Sequence, residues 1–228
     1  MTIFKFTLKR YFRQPSNIIF LLILPIILVF LPNLVWPPIP MGFQYYGVLL
    51  LFISTRLTGI ILEDRTRKTT LRISVAPITH FQYLWQNLLA YSVLLMGVNL
   101  LVVSIGVLYH GENLISPVLL FVVYTFFSMS AIGFSLAYYA IIRNKEAALT
   151  LLTGIISLIS MLGGVFWPIE IMPVFIQRLA MLLPTYWYSE GIVRVAFGGS
   201  LGDISLPLIM MFMFTVLFLL LGSKRDII

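Results

Sequence analysis

EDRTRKTTLRISVAPIT, residues 63–79, carries six charged side chains among its first ten residues and joins two of the most apolar stretches of the chain. The charge sits on Glu63, Asp64, Arg65, Arg67, Lys68 and Arg72. A basic strip between two long apolar runs cannot lie inside hydrocarbon. Lys and Arg collect on the cytoplasmic side of membrane proteins. The strip therefore reports which side of a membrane it faces, and the neighbouring segments can be counted outward from it.

Composition requires that membrane. The 228 residues are 60% hydrophobic and 10% charged, with a mean hydropathy of +1.02. Soluble domains carry about 25% charged residues, and a chain this apolar cannot cover itself with a water-facing surface. Lys5, Lys9, Arg10 and Arg13 precede a long apolar run, but no small-residue cleavage site follows, so a retained first span is expected rather than a removed signal. The chain has no cysteine, which excludes disulfides, thiolate metal sites and a Cys nucleophile. The net charge of +7 is spread over short tracts beside apolar spans, a pattern of topology and headgroup contact rather than of nucleic-acid binding. His80 and His110 stand apart without carboxylates at ligand spacing, so no metal site is expected. Glu146, beside Arg143 and Lys145, reads as a solvated loop charge.

A spanning helix needs about 20 apolar residues, and six segments qualify: 18–36, 43–62, 84–108, 117–142, 147–166 and 204–222. Pro25 and Pro32 fall inside the first and should bend it or open its packing. Strand alternation of the barrel kind is not seen. The expected fold is an all-α integral membrane protein with six transmembrane helices, treated as a single domain over residues 1–228. With both termini cytoplasmic, twelve basic residues face inward and two, Arg178 and Arg194, face outward. The charged strip then lies in the cytosol.

The start of the chain, MTIFKFTLKRYFRQPS, places Ile3, Phe4, Leu8, Tyr11 and Phe12 on one helical face and its four basic residues on the other. Residues 1–16 thus read as an N-terminal amphipathic helix in the membrane interface, ended by Pro15. Between the fifth and sixth spans, residues 167–199 are apolar but broken by Pro168, Pro173 and Pro184. A seventh span there would carry Lys224 and Arg225 outside. Two short re-entrant outer helices before the last span, near 172–182 and 187–197, fit better, with Trp167, Tyr186, Trp187 and Tyr188 at the interface. Glu190 and Arg194 are spaced to pair on one helix face. Arg56 lies inside the second span, about 10 Å from its cytosolic end by helical rise. There it either snorkels to inner headgroups or forms a structural pair, or else lines a cargo path.

Within the strip, Leu71 and Val75 stand four apart on a short helix that Pro77 would end. Acidic residues do little for topology, so Glu63 and Asp64 call for pairing or a cytosolic partner. Here the chain resembles the ABC type-2 exporter permeases. Glu63, Thr70, Leu71, Pro77 and Thr79 occupy places in that family's loop after the second span, although Lys68-Thr69 stands where a glycine is usual. LLPTYWYSEGIVRVAFGG, residues 182–199, resembles the family's segment before the last span.

The resemblance implies that the loop at 63–80 is a coupling helix seated in an ATPase subunit, carried by Glu63, Asp64, Arg65, Arg67, Lys68, Leu71, Arg72, Val75 and Pro77. No phosphate-loop motif is present. ATP and Mg are therefore expected on the partner, with no cofactor, metal or catalytic residue on this chain. Two ATPase copies and a second permease chain, identical or homologous, complete the expected assembly in a bacterial plasma membrane. The lack of an outer domain for large polysaccharide favours an amphiphilic drug, antimicrobial peptide or lipid-like cargo. A secondary transporter would show internal repeats, which are not evident. An intramembrane enzyme needs clustered catalytic side chains, which are not visible either.

Overall fold

A computed structural model describes residues 4, 7, 9, 15–32, 38–59, 62, 79–111, 114, 116–142 and 145–224. These residues form helices and turns. In chain order they are α1 (Pro15–Val29), α2 (Met41–Thr58), α3 (His80–His110), α4 (Pro117–Ile141), α5 (Lys145–Leu162), a single 3₁₀ turn (Ile169–Ile171), α6 (Val174–Ala180), α7 (Pro184–Ala196) and α8 (Leu201–Ser223). Of the N-terminal stretch, Phe4, Thr7 and Lys9 are helical, with Phe4 half-buried and Lys9 exposed.

Among the described residues, Phe81–His110, Pro117–Ile141 and Leu201–Ser223 are long and apolar enough to cross a membrane, while Thr150–Leu162 is a shorter apolar helix. At 1.5 Å per residue, the 31 residues of α3 reach about 46 Å, beyond a hydrocarbon core of about 30 Å. The structure thus gives an all-helical membrane protein. Many large apolar side chains on α3 and α8 are exposed, among them Leu100, Leu108, Ile209 and Met213, as lipid contact requires.

The first helix is shorter than the hydropathy suggests. It keeps Pro25 inside but stops at Val29, and turns at Phe30 and Leu31 carry the chain to Pro32. Pro32 has no N–H to continue the ladder and disfavours helix at the residue before it, so it lies beyond the helix rather than within it. α2 is described to Thr58. Gly59 N–H donates to Thr55 O at 2.9 Å, and Leu62 beyond it is helical, its N–H donating to Gly59 O at 3.0 Å.

Helix directions follow from contacts along α4, which packs against α2, α3, α7 and α8. Phe126 meets Phe212 and Phe134 meets Phe218, so α4 and α8 run parallel. Close approach between them comes from Gly133, facing the Thr215 backbone, and Gly222, facing Ala137. His110 at the end of α3 bonds Val29 O at the end of α1, at 2.7 Å. Gly42, at the start of α2, lies against Leu28 of α1 so closely that a Cβ would come 1.7 Å from its carbonyl oxygen. The ends of α1 and α3 and the starts of α2, α4 and α8 therefore share one end of the bundle with α7. The opposite ends, bearing Thr58, Thr79, Ile141 and Ser223, share the other.

Candidate functional site

At the α7 end, polar side chains cross between helices inside the core. Tyr188 of α7 is fully buried. Its phenol accepts from Gly47 N–H at 2.9 Å and donates to Phe43 O, also at 2.9 Å, with Gln44 O at 3.2 Å. An uninterrupted α-helix would join residues 43 and 47 directly. Here the phenol of another element bonds to both groups of that rung. The glycine makes room, since a Cβ at Gly47 would lie 2.3 Å from the Tyr188 ring.

Tyr124 of α4 also donates to Phe43 O, at 3.0 Å, and Phe127 packs 4.4 Å from the Tyr188 ring, centroid to centroid. One helix further in, Tyr46 donates to Asn99 Oδ1 at 2.8 Å and Asn99 Nδ2 donates to Ser128 Oγ at 3.1 Å. This chain links α2, α3 and α4. Buried polar groups are costly without partners, and these find them on neighbouring helices.

Beside this network a half-open cleft lies between the start of α2, the turn after α5 and α7. Its volume is about 50 Å³. Its floor is the amide of Gln44, whose Nε2 donates to Ser189 Oγ at 3.2 Å and Val165 O at 3.4 Å, residues that also line the cleft. Its walls include Tyr45, Trp167, Glu170, Tyr186 and Glu190. Glu190 is held by Arg194, which brings Nη2 to 2.7 Å and Nε to 2.8 Å of Oε1. Arg194 Nη1 also donates to Asp203 O, tying α7 to the first turn of α8. Burial raises the Tyr186 phenol above its ordinary range, and the Glu190 and Glu170 carboxylates add to that rise against Arg194.

The opposite end carries the charged strip. Residues 63–78 lie outside the described residues, and with them all nine coupling positions, Glu63, Asp64, Arg65, Arg67, Lys68, Leu71, Arg72, Val75 and Pro77. Its two anchors are described. α2 reaches Thr58, and α3 opens on a capping box in which Thr79 Oγ1 accepts from Gln82 N–H while Thr79 N–H donates to Gln82 Oε1, both at 3.2 Å. Nearby, Thr7 of the N-terminal stretch donates to Asn87 Oδ1 of α3 at 3.0 Å, with both side chains buried.

Arg56 lies in the last turn of α2, two residues from its end, and is exposed between buried Thr55 and Leu57. It points away from the packed interior. Glu190 and Arg194 meet as their spacing predicts. Gln44, Tyr46, Asn99, Tyr124 and Tyr188 were missed as site candidates. Their signal was a polar group in an apolar segment, which marks function or structural pairing by default.

A family model described as ABC-2 family transporter protein matches residues 40–224. The Linearmycin resistance permease protein LnrN of Bacillus subtilis (strain 168) is 26% identical over 160 residues, which is 70% of this chain and 41% of that protein. The chain therefore spans well under half of that relative's length. The family match runs from the turn before α2 to the residue after α8, through the tyrosine relay, the cleft and the strip between α2 and α3. The chain belongs to the ABC-2 family of transporter proteins and is a membrane permease component.

Proposed function

We propose that this chain is the permease subunit of an ATP-driven exporter, coupled through residues 63–78 to a separate ATPase. ATP and Mg belong to that partner. Two ATPases act with two permeases, the second identical or homologous to this one, in a bacterial plasma membrane. The helices α1 to α5 and α8 are its six spans, with both termini cytoplasmic and α6 and α7 re-entrant in the outer leaflet. The cargo is amphiphilic, and the relative's name, which links a permease to resistance, supports outward movement.

The observation that carries this reading is the shared end of the helices. The last described turns of α2, α4 and α8 and the first of α3 lie together, with the start of α1 at the same end, and in sequence twelve of the fifteen basic residues lie beyond these ends, while Arg56 stands in the last turn of α2. A docking face for a cytosolic motor needs that convergence. Replacing Leu71 and Val75 together by Asp should leave the protein inserted but remove ATPase copurification and transport, because a buried unpaired carboxylate is costly. Normal copurification would sink the coupling assignment. Transport that persists without any ATPase would favour a secondary transporter.

Sidedness has its own test, and the absence of native cysteine removes background. Ser200→Cys should react with an impermeant thiol reagent in intact cells, whereas Ser223→Cys should react only after permeabilisation. Reaction of Ser223→Cys in intact cells would overturn the six-span topology.

A further inference from the structure

The cleft beside α7 holds a group that the fold leaves unsatisfied. Gln44 is 3% exposed. Its Nε2 is engaged at the cleft floor, but its Oε1 is buried without a hydrogen-bond partner. A buried acceptor left unpaired costs about 1–3 kcal/mol, and because Gln44 lines the cleft, a donor that enters the cleft can relieve that cost. The donor's charge is also indicated. Glu170 projects from the 3₁₀ turn, is exposed, and has no ion-pair partner among the described residues. Glu190 adds a second carboxylate, offset by Arg194. Two carboxylates and one guanidinium leave the cleft with a net charge of −1.

Aromatic faces complete the environment. Tyr45, Trp167 and Tyr186 line the same cleft, and such faces attract cations within about 6 Å. The space of about 50 Å³ exceeds the ~10–15 Å³ that one water needs on this measure, yet is far too small for a whole amphiphile. It suits a headgroup whose tail remains in the outer leaflet.

We propose that this cleft binds the primary ammonium headgroup of an amphiphile, with N–H donated to Gln44 Oε1 and to the Glu170 carboxylate against the aromatic walls. A primary ammonium brings three donors. A trimethylammonium of the same charge brings none and leaves Gln44 Oε1 orphaned. Amine preference over trimethylammonium is therefore the signature that separates this site from a general cation attractor. The cleft's place on a cargo route rests on the export reading above, but binding of the headgroup does not, and binding is what the experiment reads.

The full chain in phosphatidylcholine nanodiscs is titrated with dodecylamine and with dodecyltrimethylammonium, following tryptophan fluorescence, which Trp167 at the cleft should report. Dodecylamine should bind at least ~10-fold tighter. Glu170→Gln, at an exposed position, should erase most of that preference without lowering the unfolding midpoint. Repeating the titration with phosphatidylethanolamine in the nanodisc assigns the source. Loss of dodecylamine affinity identifies a membrane lipid headgroup as the occupant, and unchanged affinity identifies a free amphiphile; both outcomes support the site. Equal affinity for the two amphiphiles, or a preference unaltered in Glu170→Gln, would overturn the proposal. Neither of those results bears on whether an ATPase docks at the other end.

Discussion

The two ends of the bundle use hydroxyl groups in different proportions. At the α7 end, phenols and amides reach across elements far apart in sequence: Tyr188 to α2, Tyr124 to α2, and Gln44 to Val165 and Ser189. Thr185 likewise donates to Ile159 O of α5. At the charged end, several hydroxyls turn back on their own helices. Thr55 bonds Leu51 O and Thr58 bonds Ser54 O, both at 2.8 Å, and Ser135 bonds Ala131 O at 3.0 Å. Contacts across helices there include a longer Thr55–Ser135 approach at 3.3 Å and Tyr138 to Ala148 O at 2.9 Å.

The difference is instructive because lipid supplies no hydrophobic drive between helices. Helix association must then come from packing and polar contact. The α7 end is cross-linked by both. The charged end divides its hydroxyls between bonds within one helix and bonds across helices, among them Thr7 to Asn87 and Tyr138 to Ala148 O.

Three substitutions test this contrast. Gly42→Ala should be the most damaging, because its Cβ would meet the Leu28 carbonyl at 1.7 Å and no flexible side chain is there to yield. We expect a loss of about 3 kcal/mol, read as poor yield or a collapsed thermal midpoint in detergent. Tyr188→Phe removes the relay but keeps the ring, and should cost about 1 kcal/mol, visible as a clear drop in midpoint. Thr55→Val should cost below ~0.5 kcal/mol, since it deletes a bond made within its own helix and one long contact. A Thr55→Val loss larger than that of Tyr188→Phe would reverse the assignment of the adhesive end.

Periodicity and charge made the helical membrane class, two short helices before the last long one and the Glu190–Arg194 pair legible, since each depends on neighbours in sequence. Spacing alone places residues 190 and 194 on one face. The tyrosine relay was not legible. Its partners are backbone groups of α2, more than 140 positions from Tyr188, and no local pattern encodes them. The orphaned oxygen of Gln44 is likewise a property of assembled surroundings. Helix ends were misread where hydropathy continued past the geometry, as at Pro32, whose missing N–H matters more than its apolar side chain.

The phenol in the 43–47 rung has a mechanical consequence. Residues 43 and 47 of α2 are also spliced by a side chain belonging to α7, and side-chain groups set into the ladder are where helices bend. From Gly47 to Thr58 the helix extends about 17 Å. A hinge of about 10° at that splice would swing its far end by about 3 Å, directly at the mouth of the charged strip. The bond to Tyr188 is thus the point at which bending of α2 would be passed to α7.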